Sequence, residues 1–323
     1  MSAMERVGGI RPDKELEFVP MPVIDFQQLH SRTRTTVIKD IGRACQKLGC
    51  FQVVNHGISR SVIKDALEAA SGFFELPMEK KMQFSSEDIR KPVRYDAAPM
   101  LSEGKSRTLL KHYAHPLKNW VHLWPQNPPQ YRKQMGKYAV DVRKVAQQLL
   151  DAILESLGLG QTRLRGKLDE GLQLIAVNCY PKNSQSDVMV GLAPHSDYGL
   201  ITILLQSCDG LQIMDSDGKS WRRVLASYDT LHVHVGDHLE VLSNGRYKSL
   251  VHRAVLNSHA RISVASIHGF PIDEKVSIPQ ELVDEQHPRR YRESSFKDFL
   301  DYVSTTNMAG GTSFINSLKI FEA

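Results

Sequence analysis

The sequence predicts an α+β chain whose second half folds as a β-barrel or jelly roll. Three observations carry this. Amphipathic helical periods dominate up to about residue 157. Short apolar or alternating runs broken by turn residues dominate from Leu172 onward. One further helical pattern, at about Ser295–Val303, follows the last of those runs. Helices first, then many closely spaced strands, is the order of a compact β-body with helices packed on it.

The elements can be justified in turn. Met21–Phe26 (MPVIDF) reads as a short strand. Thr35–Leu48 places Val37, Ile38, Ile41, Ala44 and Cys45 on one helical face, and Gly49 ends the period. Phe51–Val54 is a short apolar strand closed by the turn Asn55-His56-Gly57. Ser59 then suits the cap of a second helix running to about Phe74, before Leu76-Pro77. Ser85–Arg107 shows no clear period and reads as loop or irregular strand. Pro129–Leu157 is the longest helical pattern, with Tyr138, Val142, Val145, Leu149, Ile153 and Leu157 in one stripe. The later segments LQLIAVNCY, ITILLQS, LQIMD, LHVHVGD, VLSNG and ISVASIHGF read as strands, with hairpin turns expected at Asp217-Gly218 and Asn244-Gly245. The expected division is 1–125, a helix-and-strand region; 126–170, the long helix and a connector; 171–275, the β-body; and 276–323, a final helix and tail.

Composition excludes several function classes. Over 323 residues, the 41 Lys and Arg against 36 Asp and Glu leave a formal charge of +5. Pairs such as Lys80-Lys81, Arg222-Arg223 and Arg289-Arg290 are scattered, which describes a solvated surface rather than a nucleic-acid patch. The four cysteines, Cys45, Cys50, Cys179 and Cys208, form no C-x-x-C pair, and Cys45 and Cys179 lie in apolar stretches, the pattern of reduced core thiols. No apolar run near the start resembles a secretory signal, and none reaches the length of a membrane span. The expectation is a cytoplasmic protein, with the nucleus also open to it, that works as a monomer on a small molecule.

His195-Ser196-Asp197 is an H-x-D triplet at a strand edge. Residues i and i+2 share a face of extended chain, so an imidazole and a carboxylate can grip one ion. With 13 His and 36 acidic residues, about one or two such triplets arise by chance, and His238-Leu239-Glu240 is a second. The first stands out by its company. His252 follows at the end of another expected strand, and two imidazoles with one carboxylate leave three coordination positions open, as an Fe(II) that binds a co-substrate and O2 requires. Asn257–Ala260 reads as a turn that brings the Arg261-bearing strand back beside the His252-bearing one. Arg261 and Ser263 then share a face, offering a planar fork and a hydroxyl to a carboxylate. Asn178 and Tyr180 share a face of the Leu172–Tyr180 strand, and the Tyr180 phenol can reach the same carboxylate.

Other histidines read as structural. His232 and His234 share a strand face but lack a nearby carboxylate in sequence, so they are expected in the core or pocket wall. His238 and Glu240 sit beside the Gly236-Asp237 turn. His56 is expected to stabilise its own turn. His268 is open between a structural and a substrate-lining role. Arg292-Glu293-Ser294 repeats the R-x-S spelling in a polar segment and is set aside.

Taken together, MPVIDF, GCFQVVNHGIS, NCYPKN, PHSDYGLITILLQ, GLQI, VHVGDHLEVLSNGRYKSLVHRAV and ARIS resemble the plant-type 2-oxoglutarate/Fe(II)-dependent dioxygenases over nearly the whole chain. The wording lies nearest the flavanone 3-dioxygenase-like and salicylate-hydroxylase-like branches. The resemblance implies a double-stranded β-helix core, a cupin-like jelly roll with flanking helices. It implies His195, Asp197 and His252 as iron ligands, and Arg261 and Ser263, with Tyr180 and Asn178, as the clamp on the distal carboxylate of 2-oxoglutarate. It implies an O2-dependent hydroxylation or desaturation of a small plant metabolite or hormone, a flavonoid or other phenolic among them, with release of succinate and CO2 and with ascorbate as a supporting reductant. A jelly-roll binding protein without turnover is the alternative, and the arginine clamp speaks against it. Flavonoid-oxidising relatives place Phe where this chain has Ile267, and the leucoanthocyanidin-oxidising branch has Lys where it has Ala176. The Tyr95–Thr108 segment also reads as shorter than in close relatives.

Overall fold

A computed structural model of the chain describes residues 16–96, 107–160, 162–183, 189–215, 218–305 and 313–320. Twelve strands are present among them: β1 (Val23–Asp25), β2 (Cys50–Val54), β3 (Val93–Asp96), β4 (Thr108–Tyr113), β5 (Gln173–Tyr180), β6 (Val190–His195), β7 (Ile201–Gln206), β8 (Leu211–Met214), β9 (Trp221–Arg223), β10 (Leu231–Val235), β11 (His252–Val255) and β12 (Arg261–His268). They form an eight-stranded sheet of order β1-β2-β10-β7-β12-β5-β4-β3 and a four-stranded sheet of order β6-β11-β8-β9. The α+β jelly roll expected from the sequence is therefore the fold.

Alternation along the large sheet explains its two faces. Ile175, Val177, Ile203, Val233, Phe51 and Val264 point outward and pack with the helices in the main core. The helix Tyr131–Ser156 supplies the expected stripe to that core, with Tyr138, Val142, Leu149 and Ile153 fully buried. Each such side chain contributes roughly 1.5–3 kcal/mol by leaving water. Gln173 on the same face donates to the Ala139 carbonyl of this helix at 2.9 Å, which ties helix to sheet. Ser59 caps the helix Arg60–Glu75 by accepting from the Val62 N–H at 3.4 Å. The opposite, inward face carries Leu174, Ala176, Leu204, Ala265 and Ile267 toward smaller apolar clusters.

Several expectations change. Ser85–Arg107 is not simply irregular: β3 lies within it and pairs with β4, which extends the large sheet. Residues 97–106, and with them most of the segment read as shortened, lie outside the described residues. VLSNG is not a strand. Asp237–Leu242 is a helix buried on every side, so it shows no period to read. Asn244-Gly245 ends that helix rather than closing a hairpin: both residues have positive φ, and the Gly245 N–H donates to the Glu240 carbonyl at 2.8 Å. Asp217 of the other turn lies outside the described residues. Short helices at Met78–Met82, Leu117–Trp120, Thr162–Asp169 and Phe314–Leu318 add to the expected set. The four cysteines are free, Cys45 and Cys50 buried, Cys179 and Cys208 partly exposed. No helix among the described residues is long and apolar enough to cross a membrane.

Candidate active site

The small sheet brings the two sequence-distant histidines together. His252 on β11 is the direct antiparallel partner of His195 on β6, and their ring centroids are 4.2 Å apart. Just past β6, Asp197 turns back, so that its Oδ1 lies 3.8 Å from His195 Nε2. One ligand atom from each of His195, Asp197 and His252 falls within 4.8 Å of the others, and these form the one such cluster among the described residues.

Both histidines are oriented in the same way. His195 Nδ1 meets the Ala193 carbonyl at 2.9 Å and His252 Nδ1 meets the Leu250 carbonyl at 3.1 Å. A carbonyl only accepts, so each Nδ1 carries the hydrogen and each Nε2 keeps its lone pair. Burial lowers both imidazoles to about 4; for His195 the neighbouring His252 adds to it, while Asp197 opposes it in both. They are thus neutral, ligand-ready bases at neutral pH. Burial alone would raise the Asp197 carboxyl, but His252, His234 and His195 outweigh it and hold it well below the usual carboxylate range. Asp197 Oδ2 is buried and has no hydrogen-bond partner. A buried carboxylate oxygen without a donor is costly, and a cation is the partner that would satisfy it.

The residues expected to clamp a carboxylate lie on the other sheet. Arg261 pairs across the ladder with Tyr180, and Ser263 with Asn178 on one side and Gln206 on the other. This corrects the expected pairing of the Arg261 strand with the His252 strand. β11 belongs to the small sheet and β12 to the large one, so the chain crosses the sandwich between Leu256 and Ala260. Arg261 is 2% exposed. Its Nε donates to the Cys208 carbonyl at 3.2 Å, its Nη2 to Gln206 Oε1 at 2.8 Å, and its guanidinium lies over the Tyr180 ring at 4.9 Å. Nη1 is buried and has no partner. Asn178 does not stand free to bind: its Nδ2 donates to Ser263 Oγ at 3.3 Å and its Oδ1 accepts from Arg107 at 2.8 Å. Ser263 therefore retains its own hydroxyl hydrogen for a ligand.

Three residues near this chemistry went unnoticed or misjudged in the sequence. Gln206 spans from Arg261 to His232, whose Nε2 lies 3.1 Å from Gln206 Nε2. His234 does have a carboxylate beside it, contrary to expectation: Asp197 Oδ2 lies 3.9 Å from its Nδ1, and its ring is 4.8 Å from His252. Arg107 reaches Asn178 from the edge of β4. Alternation on β7 and β10 places Gln206 and His234 on the inward face, but only the fold shows what they face. The remaining histidines are structural. His56 Nδ1 accepts from the Ile58 N–H. His238 meets Ser294, and Glu240 accepts from Ser249 and Tyr291. His268 meets Ser266, which also accepts from Gln173, so it belongs to the helix-facing side and not to a substrate wall.

Comparisons with known proteins agree with this geometry. Residues 21–137 match the family described as non-haem dioxygenase in morphine synthesis, N-terminal, and residues 171–269 match the 2OG-Fe(II) oxygenase superfamily. The chain is 55% identical to flavanone 3-dioxygenase 3 of Oryza sativa subsp. japonica, covering 96% of each chain. It is 53% identical to 2-oxoglutarate-dependent dioxygenase 21, chloroplastic, of the same plant, covering 93% of this chain and 91% of that one. Among solved structures, JOX2 in complex with 2OG, Fe and JA superposes with a TM-score of 0.82 at 26% identity, covering 95% of this chain and 91% of that one. The chain belongs to the 2-oxoglutarate- and Fe(II)-dependent dioxygenase family, and it is an oxidoreductase that uses both Fe(II) and 2-oxoglutarate.

Proposed function

We propose that His195, Asp197 and His252 hold the Fe(II), that Arg261 and Ser263 with Tyr180 hold the distal carboxylate of 2-oxoglutarate, and that the prime substrate is a small plant metabolite with an apolar or aromatic body. One observation carries the assignment. Two buried groups of opposite charge, Asp197 Oδ2 and Arg261 Nη1, lack a hydrogen-bond partner inside the same sandwich. They ask for a cation and an anion respectively, which is the pair that Fe(II) and a dicarboxylate provide.

Bound together, Fe(II) and 2-oxoglutarate supply an O2-dependent oxidation that releases succinate and CO2 and adds a hydroxyl to the substrate or removes two hydrogens from it. The chain's own residues set the geometry. The Ala193 and Leu250 carbonyls fix both ligating tautomers. Gln206 and the Cys208 carbonyl lock two edges of the Arg261 fork, so that the third edge meets the co-substrate. Leu174, Ile267 and Tyr113, with Tyr198 stacked on Phe296 and Phe299 at 4.6 and 4.3 Å, form an apolar wall that excludes water from the reacting carbon. The name of the rice relative, a flavanone 3-dioxygenase, supports a phenolic or related body of that size.

Purified protein with Fe(II), ascorbate and 2-oxoglutarate should form succinate, and His195→Ala should abolish both succinate formation and Fe(II) retention. Wild-type rates in His195→Ala would refute the ligand assignment. Incubation with a plant metabolite extract should give products that gain one oxygen or lose two hydrogens only when 2-oxoglutarate is present.

A further inference from the structure

The β6–β11 ladder sets His195 against His252, and β6 ends at His195. Asp197 lies beyond that end, so the ladder does not fix its position relative to His252. The buried helix Asp237–Leu242 does, because it is bonded to both chain segments that carry the cluster. Its first turn grips the Asp197 segment. The Asp237 N–H donates to the Asp197 carbonyl at 2.7 Å, and the His238 N–H donates to the Gly199 carbonyl at 3.1 Å. These are N–H groups that no carbonyl within the helix can take. The approach is close: a Cβ on Gly236 would collide with the Gly199 carbonyl oxygen and lie 2.9 Å from that of Asp197. Glycine lets the helix seat directly on the turn that presents Asp197.

The side chains of the same helix grip the His252 segment. Asp237 Oδ1 accepts from the Ser249 hydroxyl at 2.6 Å, and Glu240 Oε2 accepts from the Ser249 N–H at 2.6 Å. The next residue, Leu250, donates its N–H to the Val235 carbonyl at 3.1 Å, and its own carbonyl meets His252 Nδ1. One path of bonds thus runs from the Asp197 carbonyl through Asp237 and Ser249 to the residue that orients His252. Asp237 is 2% exposed. Burying a carboxyl costs stability, and the bond that this one makes in return joins the two segments. Glu240 is braced differently, by the Tyr291 hydroxyl at 2.6 Å and by Lys248 at 3.3 Å.

We propose that Asp237 is a positioning residue for the metal centre. Its side-chain bond to Ser249 and its backbone bond to Asp197 together set the carboxylate ligand at its place opposite His252. This rests on the reading of His195, Asp197 and His252 as the Fe(II) site. Asp237 is not a member of that cluster, and it acts through the main chain on either side of it.

The test is calorimetric titration with Fe(II), without O2 or 2-oxoglutarate, with the melting temperature of each metal-free variant measured alongside. Asp237→Ala and Ser249→Ala should each weaken Fe(II) binding about 10- to 100-fold, the usual effect of losing a partner behind a ligand. The double variant should be within about threefold of the weaker single one, since both changes remove the same bond. Asp237→Asn keeps the accepting oxygen and should bind within about threefold of wild type. The visible absorption of the Co(II)-loaded protein, which reports ligand geometry, should change in Asp237→Ala and be restored in Asp237→Asn. Tyr291→Phe loosens the same helix through Glu240 and should change Fe(II) affinity less than about threefold. Wild-type affinity in Asp237→Ala overturns the proposal. So do losses that multiply in the double variant, and so does an equal loss in Tyr291→Phe, which would make helix stability the cause. If Asp237→Ala does not fold, Ser249→Ala carries the same expectation and the same refutation. His195→Ala separates the two readings. If it binds Fe(II) as wild type does, the triad assignment fails and the proposal falls with it; if it loses Fe(II) while Asp237→Ala and Ser249→Ala keep it, the proposal alone fails.

Discussion

Replacing Gln206 by Leu should cripple 2-oxoglutarate capture while touching neither a metal ligand nor the co-substrate itself. Gln206 Oε1 accepts from Arg261 Nη2 at 2.8 Å, and its amide nitrogen lies 3.1 Å from His232 Nε2. Since that amide nitrogen can only donate, His232 Nε2 is the acceptor, and burial, lowering its pKa to about 3, keeps the imidazole neutral for this role. Leucine has similar volume but no acceptor, so the change leaves a second buried N–H of Arg261 unpaired beside Nη1. A hydrogen bond to a charged group is worth about 1.5–3 kcal/mol. If that sum is lost from the geometry that receives the carboxylate, the KM for 2-oxoglutarate rises roughly 10- to 150-fold. The assay is succinate formation against 2-oxoglutarate concentration, with the melting temperature followed in parallel. At saturating co-substrate kcat should recover to within a few fold, because the metal ligands are intact. An unchanged KM, or an equal rise in the KM for the prime substrate, would refute the view that Gln206 acts by holding the arginine.

Two further outcomes follow from packing and titration. Gly191→Ala should lower stability by about 1–3 kcal/mol and raise the 2-oxoglutarate KM, because an added Cβ would sit 2.7 Å from Tyr180 Cδ1 and 3.0 Å from Leu256; a wild-type melting curve with normal KM would contradict this. Burial lowers His112 and His268 to about 3, below the ordinary 6.5 that each has when unfolded, so the unfolded chain takes up protons first on acidification. Their stabilising neutrality is full above about pH 6.5 and is lost as pH falls toward 3. The melting temperature should therefore decline steadily below pH 6.5, and a flat profile from 7.5 to 4.5 would sink the argument.

Much of the candidate site was legible because its residues are related by short-range rules. His195 and Asp197 are two residues apart at a strand end, Arg261 and Ser263 are two apart within a strand, and the period of two puts each pair on one face before any fold is known. The helices Arg34–Lys47 and Tyr131–Ser156 were legible for a similar reason, since each has a polar side that makes its period visible. The helix Asp237–Leu242 has no exposed residue, and without a polar side a helix and a buried strand look alike. His234 was misjudged because its carboxylate, Asp197, is close in space through the β6–β7 turn and distant in sequence.

The misplaced partner of Arg261 is the most instructive difference. A turn between two apolar runs ordinarily predicts a hairpin, and both β11 and β12 are largely buried, so alternation could not tell one sheet from the other. Instead the chain changes sheets there, and this gives the site its division of labour. The proposed ligand triad belongs to the β6–β11 side of the sandwich, and the proposed carboxylate clamp is wholly on the large sheet. A hairpin would have set Arg261 beside His252 along one surface, with both side chains competing for the same space. Opposed sheets instead leave an interior between them, where a dicarboxylate can be gripped at its far end by Arg261 while its other end faces the histidines. Gln206, His232 and Asn178 all lie on the large sheet with Arg261, so perturbing them should move co-substrate affinity and leave Fe(II) affinity nearly unchanged. That separation is what the two-sheet arrangement requires and a single hairpin site would not show.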